Sequence, residues 1–273
     1  MATTDQSPLP FLGPALARKW LAEEEVAGPR PYAVDGAKFR HSNAGGCARA
    51  LHYEREGVER TQSDLAGHWV MGLGRLVHDA WQQAVAEELR GKGFVVEEEV
   101  VCYIDECESA GHADLLVERE DIGRIVVELK TINGVGYRSM LKTNKPRDSA
   151  LLQGALNAHA LRADELEIIY LGMENVGQKN SLAQGLPAAS RFSTTFSYTK
   201  EMFEPIAERE IDRWKWLLHL EDVPPRQFPQ GGTTQAVADP ITGKLIGGGS
   251  TWRCDYCSFR VKCVDDLLKE NGL

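Results

Sequence analysis

From Gly72 to Arg90 the apolar residues Leu73, Leu76, Val77, Ala80, Trp81, Ala84, Val85 and Leu89 recur at helical spacing. They predict an amphipathic helix, ended by Gly91 and Gly93. Three β-rich runs follow, Phe94 to Ile104, Gly111 to Glu118 and Arg124 to Ile132, the last two joined by the polar turn Arg119 to Gly123. They predict a meander. Residues Asp148 to Arg162 then predict a helix, and Leu166 to Leu171 an apolar strand returning to the sheet. A further strand is expected at Arg191 to Tyr198 and a long helix from about Thr199 to Glu221, which Pro224 and Pro225 stop.

The flanks have no such period. Residues 1–40 carry five of the twelve prolines, so they are expected to form an arm with one short helix at Ala15 to Glu25. Gln227 to Thr251, rich in Gly and Pro, is expected to be an irregular loop leading to a cysteine-rich end. No internal repeat is found, and 273 residues with ordinary apolar content suit one large domain over residues 41–273.

Composition narrows the setting. No stretch approaches the roughly 20 apolar residues of a membrane helix, and the first residues lack a secretory signal, so the cytoplasm is the expected location. Six cysteines in that reducing compartment are expected to be metal ligands or buried thiols rather than disulfides. The net charge of -9 speaks against a broad basic surface for nucleic acid, but Arg138, Lys142, Lys145 and Arg147 gather basic charge within ten residues.

The chemistry centres on two strands. Asp114 lies in GHADLL, and fourteen residues later IVVELKTI presents Glu128 and Lys130, which share one strand face. A hairpin would bring Asp114 beside them. Charges on so apolar a strand are costly unless paired, and a divalent cation held by the two carboxylates would pair them. Lys130 would then orient water or stabilise charge on a phosphate. The alternative is a surface Glu-Lys pair on a solvated strand.

These residues resemble the PD-(D/E)xK nuclease superfamily, with Ala113-Asp114 in place of the Pro-Asp pair and Glu128-Leu129-Lys130 as the second half. Gln153 in LLQGALNAHAL matches the glutamine of the RecB-like branch; that branch has tyrosine four residues later, where this chain has Asn157. Gln153 and Asn157 share a helix face, with amides suited to phosphate, base or lysine contacts. By the same resemblance His78 in GRLVHDAW is a metal ligand. His52, His68, His112 and His159 receive no role, though His112, two residues before Asp114, shares its strand face.

Cys254, Cys257 and Cys263 form C-x2-C-x5-C, and Cys47 stands alone about 200 residues upstream. Three thiolates need a fourth ligand for tetrahedral zinc or a cubane cluster, and Cys47 is the expected one. Cys102 and Cys107 are expected to be an ordinary strand thiol and a loop thiol. The one-plus-three arrangement around a nuclease core resembles iron-sulfur exonucleases, the AddB nuclease domains and the CRISPR-associated Cas-four family, whose cysteines hold a [4Fe-4S] cluster.

The resemblance therefore implies an α/β, restriction-endonuclease-like mixed sheet flanked by helices, with an iron-sulfur clasp joining N- and C-terminal segments. It implies an exonuclease using magnesium or manganese held by His78, Asp114, Glu128 and the Leu129 carbonyl, with Lys130 beside the water and Gln153 positioning the strand. The partner is DNA, as single strands or duplex ends, in recombination, repair or CRISPR adaptation. A second copy of the chain or proteins of those pathways are further candidate partners, and a phage-encoded recombination nuclease also fits. The rival readings are a non-catalytic DNA-binding subunit and a zinc-bearing endonuclease.

Overall fold

The computed structural model describes residues 36–60, 65–172, 193–225, 237–238, 245–246 and 257–270. A central mixed sheet is built from β1 (Phe39–Arg40), β2 (Val95–Ile104), β3 (Ser109–Arg119), β4 (Gly123–Ile132), β5 (Glu165–Gly172) and β6 (Ser193–Thr199). The expected meander is present: β2 runs antiparallel to β3, and β3 to β4. β5 then returns parallel to β4, with Glu128 opposite Ile168, and β6 closes that edge antiparallel to β5.

Six helices surround the sheet among the described residues: α1 (Ala48–Arg55), α2 (Leu65–Gly91), α3 (Gly134–Thr143), α4 (Asp148–Ala160), α5 (Lys200–Leu218) and α6 (Arg260–Glu270). On one side, Ala86 of α2, with half-buried Trp81, Val85 and Leu89, packs on Val96, Leu115, Val117, Val127 and Leu129. On the other, Leu156 of α4 and Phe203, Ile211 and Trp214 of α5 join Val126, Leu166 and Ile168. Each fully buried aliphatic or aromatic side chain contributes about 1.5–3 kcal/mol, so the two apolar faces hold a helix-sheet-helix sandwich together.

Several elements differ from the sequence reading. Helix α2 begins at Leu65 rather than near Gly72. Helix α3 arises in the basic stretch, where no helix is expected; Asn133 caps it, accepting from the Gly136 N–H at 2.8 Å. Helices α1 and α6 also go unforeseen. The helix expected at residues 15–25 lies outside the described residues, as does most of the segment 227–251. Within that segment β7 (Val237–Ala238) and β8 (Leu245–Ile246) pair with each other. The boundary expected at residue 40 falls at the end of β1, whose Phe39 is buried.

One detail of topology creates the site. β2 pairs with β3 from Ser109 to Glu118, whereas β4 pairs with it only from Leu115 to Arg119. β1 pairs with Ser109 and Ala110. Since β2 occupies one edge of β3, β1 and β4 share the other and leave residues 111–114 between them without a strand partner on that edge. Side chains fill this fork.

Candidate active site

Asp114 stands where β3 and β4 part. Its Oδ2 accepts from the Leu129 N–H at 2.6 Å, taking the place of the lost ladder bond. N–H and C=O of one strand residue leave by the same edge, so the Leu129 carbonyl opens into the fork as well. Helix α2 crosses at the same point: His78 Nε2 lies 3.4 Å from Asp114 Oδ2, and one turn on Gln82 donates to the Asp114 carbonyl at 3.2 Å. On β2, Glu99 stands between Glu98, paired with Leu115, and Val100, paired with Ala113, and lies in the left-handed region with φ 51°, an uncommon conformation for glutamate.

Glu128 is fully buried. Lys130 Nζ donates to its Oε2 at 2.7 Å and lies 4.0 Å from Asp114 Oδ2, so one ammonium serves two carboxylates. The Asn157 amide donates to Glu128 Oε1 and, at 3.0 Å, to the His112 carbonyl. Asn157 is thus buried, and the expectation that its amide faces phosphate or a base gives way to a structural finding: it holds Glu128 and caps a carbonyl in the fork. Helix α4 can approach so closely because residue 154 is glycine; a Cβ there would lie 3.2 Å from Glu128 Cγ.

The two carboxylates are pushed apart in acidity. Burial raises Glu128 to about 7 against the pull of Lys130, and the neighbouring Asp114 charge adds to the rise. Burial also works to raise Asp114, but Lys130, His78 and the Leu129 N–H together hold it below the ordinary aspartate value. The hydrogen bond to Asp114 raises His78 despite its partial burial, and Glu99 adds to the rise. Lys130 keeps its proton: burial disfavours the charge, but Glu128 and Asp114 outweigh it.

The structure therefore brings Asp114, Glu128, Lys130, His78 and Leu129 together. Gln153, on α4 one turn before Asn157, is half-buried, and its side chain makes no hydrogen bond among the described residues. Sequence reasoning passed over His41, Gln82, Glu99 and Ser109. Only Gln82 had a local signal, since it follows His78 by one helical turn and shares its face. Arg138, Lys142, Lys145 and Arg147 lie on α3 and the turn after it, just beyond the end of β4, and none makes an ion pair among the described residues.

The cysteines are distributed unevenly. Cys47 is the N-cap of α1, Cys257 precedes α6 and Cys263 lies within it; Cys254 lies outside the described residues. Helices α1 and α6 are tied by Tyr53 donating to Asp266 at 2.7 Å and Arg49 to Glu270 at 2.8 Å. Arg49 is buried, and its second terminal nitrogen has no hydrogen-bond partner among the described residues. Burial works against its charge, but Cys263, Tyr53 and Glu270 hold it above the ordinary arginine value. Cys102 and Cys107 are both buried, and burial pushes their thiols to about 12 and about 11. No three His, Cys, Asp or Glu side chains are grouped tightly enough to hold a metal ion among the described residues, and no helix there is long and apolar enough to cross a membrane.

No protein-family model matches the chain, and no curated protein matches it. Among solved structures it is similar in fold to SSO0001, with a TM-score of 0.52 and 14% identity over 92% of this chain and 95% of that one. Weaker likenesses are an alkaline exonuclease, LHK-Exo, from Laribacter hongkongensis (TM-score 0.44, 16% identity, 67% of this chain and 88% of that one) and a phage related exonuclease from Haemophilus somnus 129PT (TM-score 0.37, 11% identity, 68% and 96%).

Proposed function

We propose that this chain is a divalent-metal-dependent nuclease that hydrolyses DNA phosphodiester bonds, acting from ends. The observation that carries the reading is the fork itself, which gathers two carboxylates of split acidity and a charged lysine at the place where two strands separate. Burying such charges is expensive, so a buried cluster of two carboxylates and an ammonium calls for an explanation beyond packing.

The donor types suit a hard cation, although His78, Asp114 and Glu128 as they stand are not drawn closely enough together to enclose one. Asp114, Glu128 and the Leu129 carbonyl offer oxygens, and His78 a nitrogen, around a site whose single ammonium leaves one negative charge uncompensated. Magnesium or manganese bound there would supply Lewis-acid stabilisation of the phosphate and a more acidic water. Lys130 holds its proton beside both carboxylates and stabilises negative charge on the scissile group. Asp114 accepts hydrogen bonds without being protonated near neutral pH, and Glu128, held by Lys130 and Asn157, presents its carboxylate beside it. Gln153, whose amide has no partner among the described residues, and the cations on and after α3, which make no ion pair among them, would position the strand and supply local positive charge despite the net charge.

The same reading assigns Cys47, Cys254, Cys257 and Cys263 to a [4Fe-4S] cluster clasping the two ends of the domain. Its support is the junction of α1 and α6, where the unpartnered nitrogen of buried Arg49 sits near Cys263, two residues after Cys47. An anionic thiolate group suits that guanidinium. Anaerobic purification with iron and zinc analysis decides between a cluster and zinc, and Cys47→Ser is expected to lower the melting temperature and lose the bound metal together.

The test of function is a cleavage assay on end-labelled linear and closed circular DNA with magnesium or manganese. Progressive loss of linear strands, sparing of circles and inactivity of Asp114→Ala, Glu128→Ala and Lys130→Ala are expected. Undiminished cleavage by the doubly substituted Asp114 and Glu128 protein refutes the site. Circles cut as fast as linear strands replace an exonuclease with an endonuclease.

A further inference from the structure

The imidazole of His41 is fully buried in the fork, far in sequence from everything it touches. It follows β1 directly, in a short 3-10 turn of residues His41–Asn43. Its face stacks on Trp214 with centroids 6.0 Å apart. Gly111 makes the room: a Cβ there would lie 2.7 Å from the imidazole atoms of His41. Its Nδ1 is 2.6 Å from Asn157 Oδ1, and its Nε2 is 3.2 Å from Ser109 Oγ.

The direction of every bond in this chain is determined. The Asn157 amide nitrogen faces two oxygens, the His112 carbonyl and Glu128 Oε1, so its two hydrogens point there. Asn157 Oδ1 must therefore accept, which requires a hydrogen on His41 Nδ1. Burial lowers His41 to about 4, so the ring is neutral near pH 7 and Nε2 is bare. Ser109 donates to it, and the Ser109 oxygen lies 3.1 Å from the Cys107 thiol.

We propose that His41 is a positioning residue: its Nδ1–H fixes the Asn157 amide, and that amide holds the Glu128 carboxylate in the orientation the reaction uses. This rests on the reading of Glu128 as a catalytic carboxylate. If the ring presented a bare Nδ1 instead, two acceptors would face each other at 2.6 Å, and Asn157 would turn its nitrogen away from Glu128. The N-terminal segment thereby completes a site otherwise built from α2, α4 and the central strands.

Two experiments test this and separate its failure from that of the nuclease reading. The first needs no activity: nitrogen-15 NMR of histidine-labelled protein, with the His41 signal assigned by its loss in His41→Asn. A neutral ring protonated on Nδ1 near pH 7 is expected; the Nε2–H tautomer or an imidazolium overturns the proposal. The second is kinetic. The asparagine amide nitrogen can stand where Nδ1 stands, whereas the glutamine amide reaches toward the Nε2 position and fills the space better. His41→Gln is expected to lower kcat roughly 10- to 100-fold with little change in KM, and His41→Asn to recover much of that loss. Space filling alone predicts the reverse order, and that result overturns the proposal. His41→Leu, compared by thermal melting and kcat, keeps folding defects apart from orientation; loss of kcat in step with melting in all three variants also refutes a positioning role. A parent protein that cleaves no DNA refutes the nuclease reading and leaves the NMR result to decide on His41.

Discussion

Acid should destabilise this fold through His41 more than through any other histidine in the fork, and the size follows from its surroundings. Burial is the main cause of its low affinity for protons; the Asn157 bond opposes it, and nearby His112 and His159 add to it. The folded imidazole titrates at about 4 against an ordinary histidine value of 6.5. Between those values the unfolded chain binds a proton that the folded chain refuses, so stability rises with pH across that window and falls as acid is added. Above it both states are neutral and the group contributes no pH dependence. Near pH 5 the loss relative to about pH 7.5 is about 2 kcal/mol, growing to about 3 kcal/mol below the folded value. The assay is urea unfolding of the parent and of His41→Asn at both pH values. The carboxylates common to both proteins cancel, and the variant's lower absolute stability shifts the intercept without affecting the difference. The parent should lose about 2 kcal/mol more than the variant on acidification. Equal losses would show that His41 is charged or solvated in the folded protein and refute the burial argument.

Further outcomes follow from packing and charge. In Gly154→Ala the new methyl would stand 2.9 Å from Leu166 Cδ1, and a steric cost of about 1–3 kcal/mol exceeds the helix-propensity gain of about 1 kcal/mol. Its melting temperature should drop, and a rise would contradict the close approach of α4. Trp214→Ala removes the ring stacked on Phe39 and His41 and should cost about 3–5 kcal/mol in chemical denaturation; a cost below about 1 kcal/mol would mean that the ring is not packed there. Replacing Arg138 and Lys142 with alanine should weaken DNA binding at all sequences and reduce the salt slope by about one per lost phosphate contact, while the metal requirement stays the same. An unchanged slope places the DNA elsewhere.

The elements of the sheet from β2 to β6 were legible because they bury alternating or continuous apolar faces, and such patterns are written locally; β1, expected to be part of an arm, was not. The run from Phe94 to Ile132 contains three strands, and each appears within two residues of its expected limits. Asp114, Glu128 and Lys130 were legible for a related reason: two residues apart on one strand means one face, and a tight turn puts the neighbouring strand alongside. The short helices α1, α3 and α6 were not, since none carries a long apolar period and each is fixed by contacts made elsewhere, as α1 is by Tyr53 to Asp266 and Arg49 to Glu270.

The amino-acid sequence by itself thus determined strands β2 to β6, the long helices and the acidic and basic groups that meet between β3 and β4. Tertiary structure alone decided that those strands part at residues 111–114, that β1 takes the vacated edge, and that His41 fills the gap beside Gly111. It also decided that Asn157 turns inward to Glu128 rather than outward to solvent. The physical reason is that strand period and helix period are properties of neighbours in the chain. The partners of a buried polar group are chosen by whatever donors and acceptors the packed sheet leaves unsatisfied, and here they come from segments 116 residues apart.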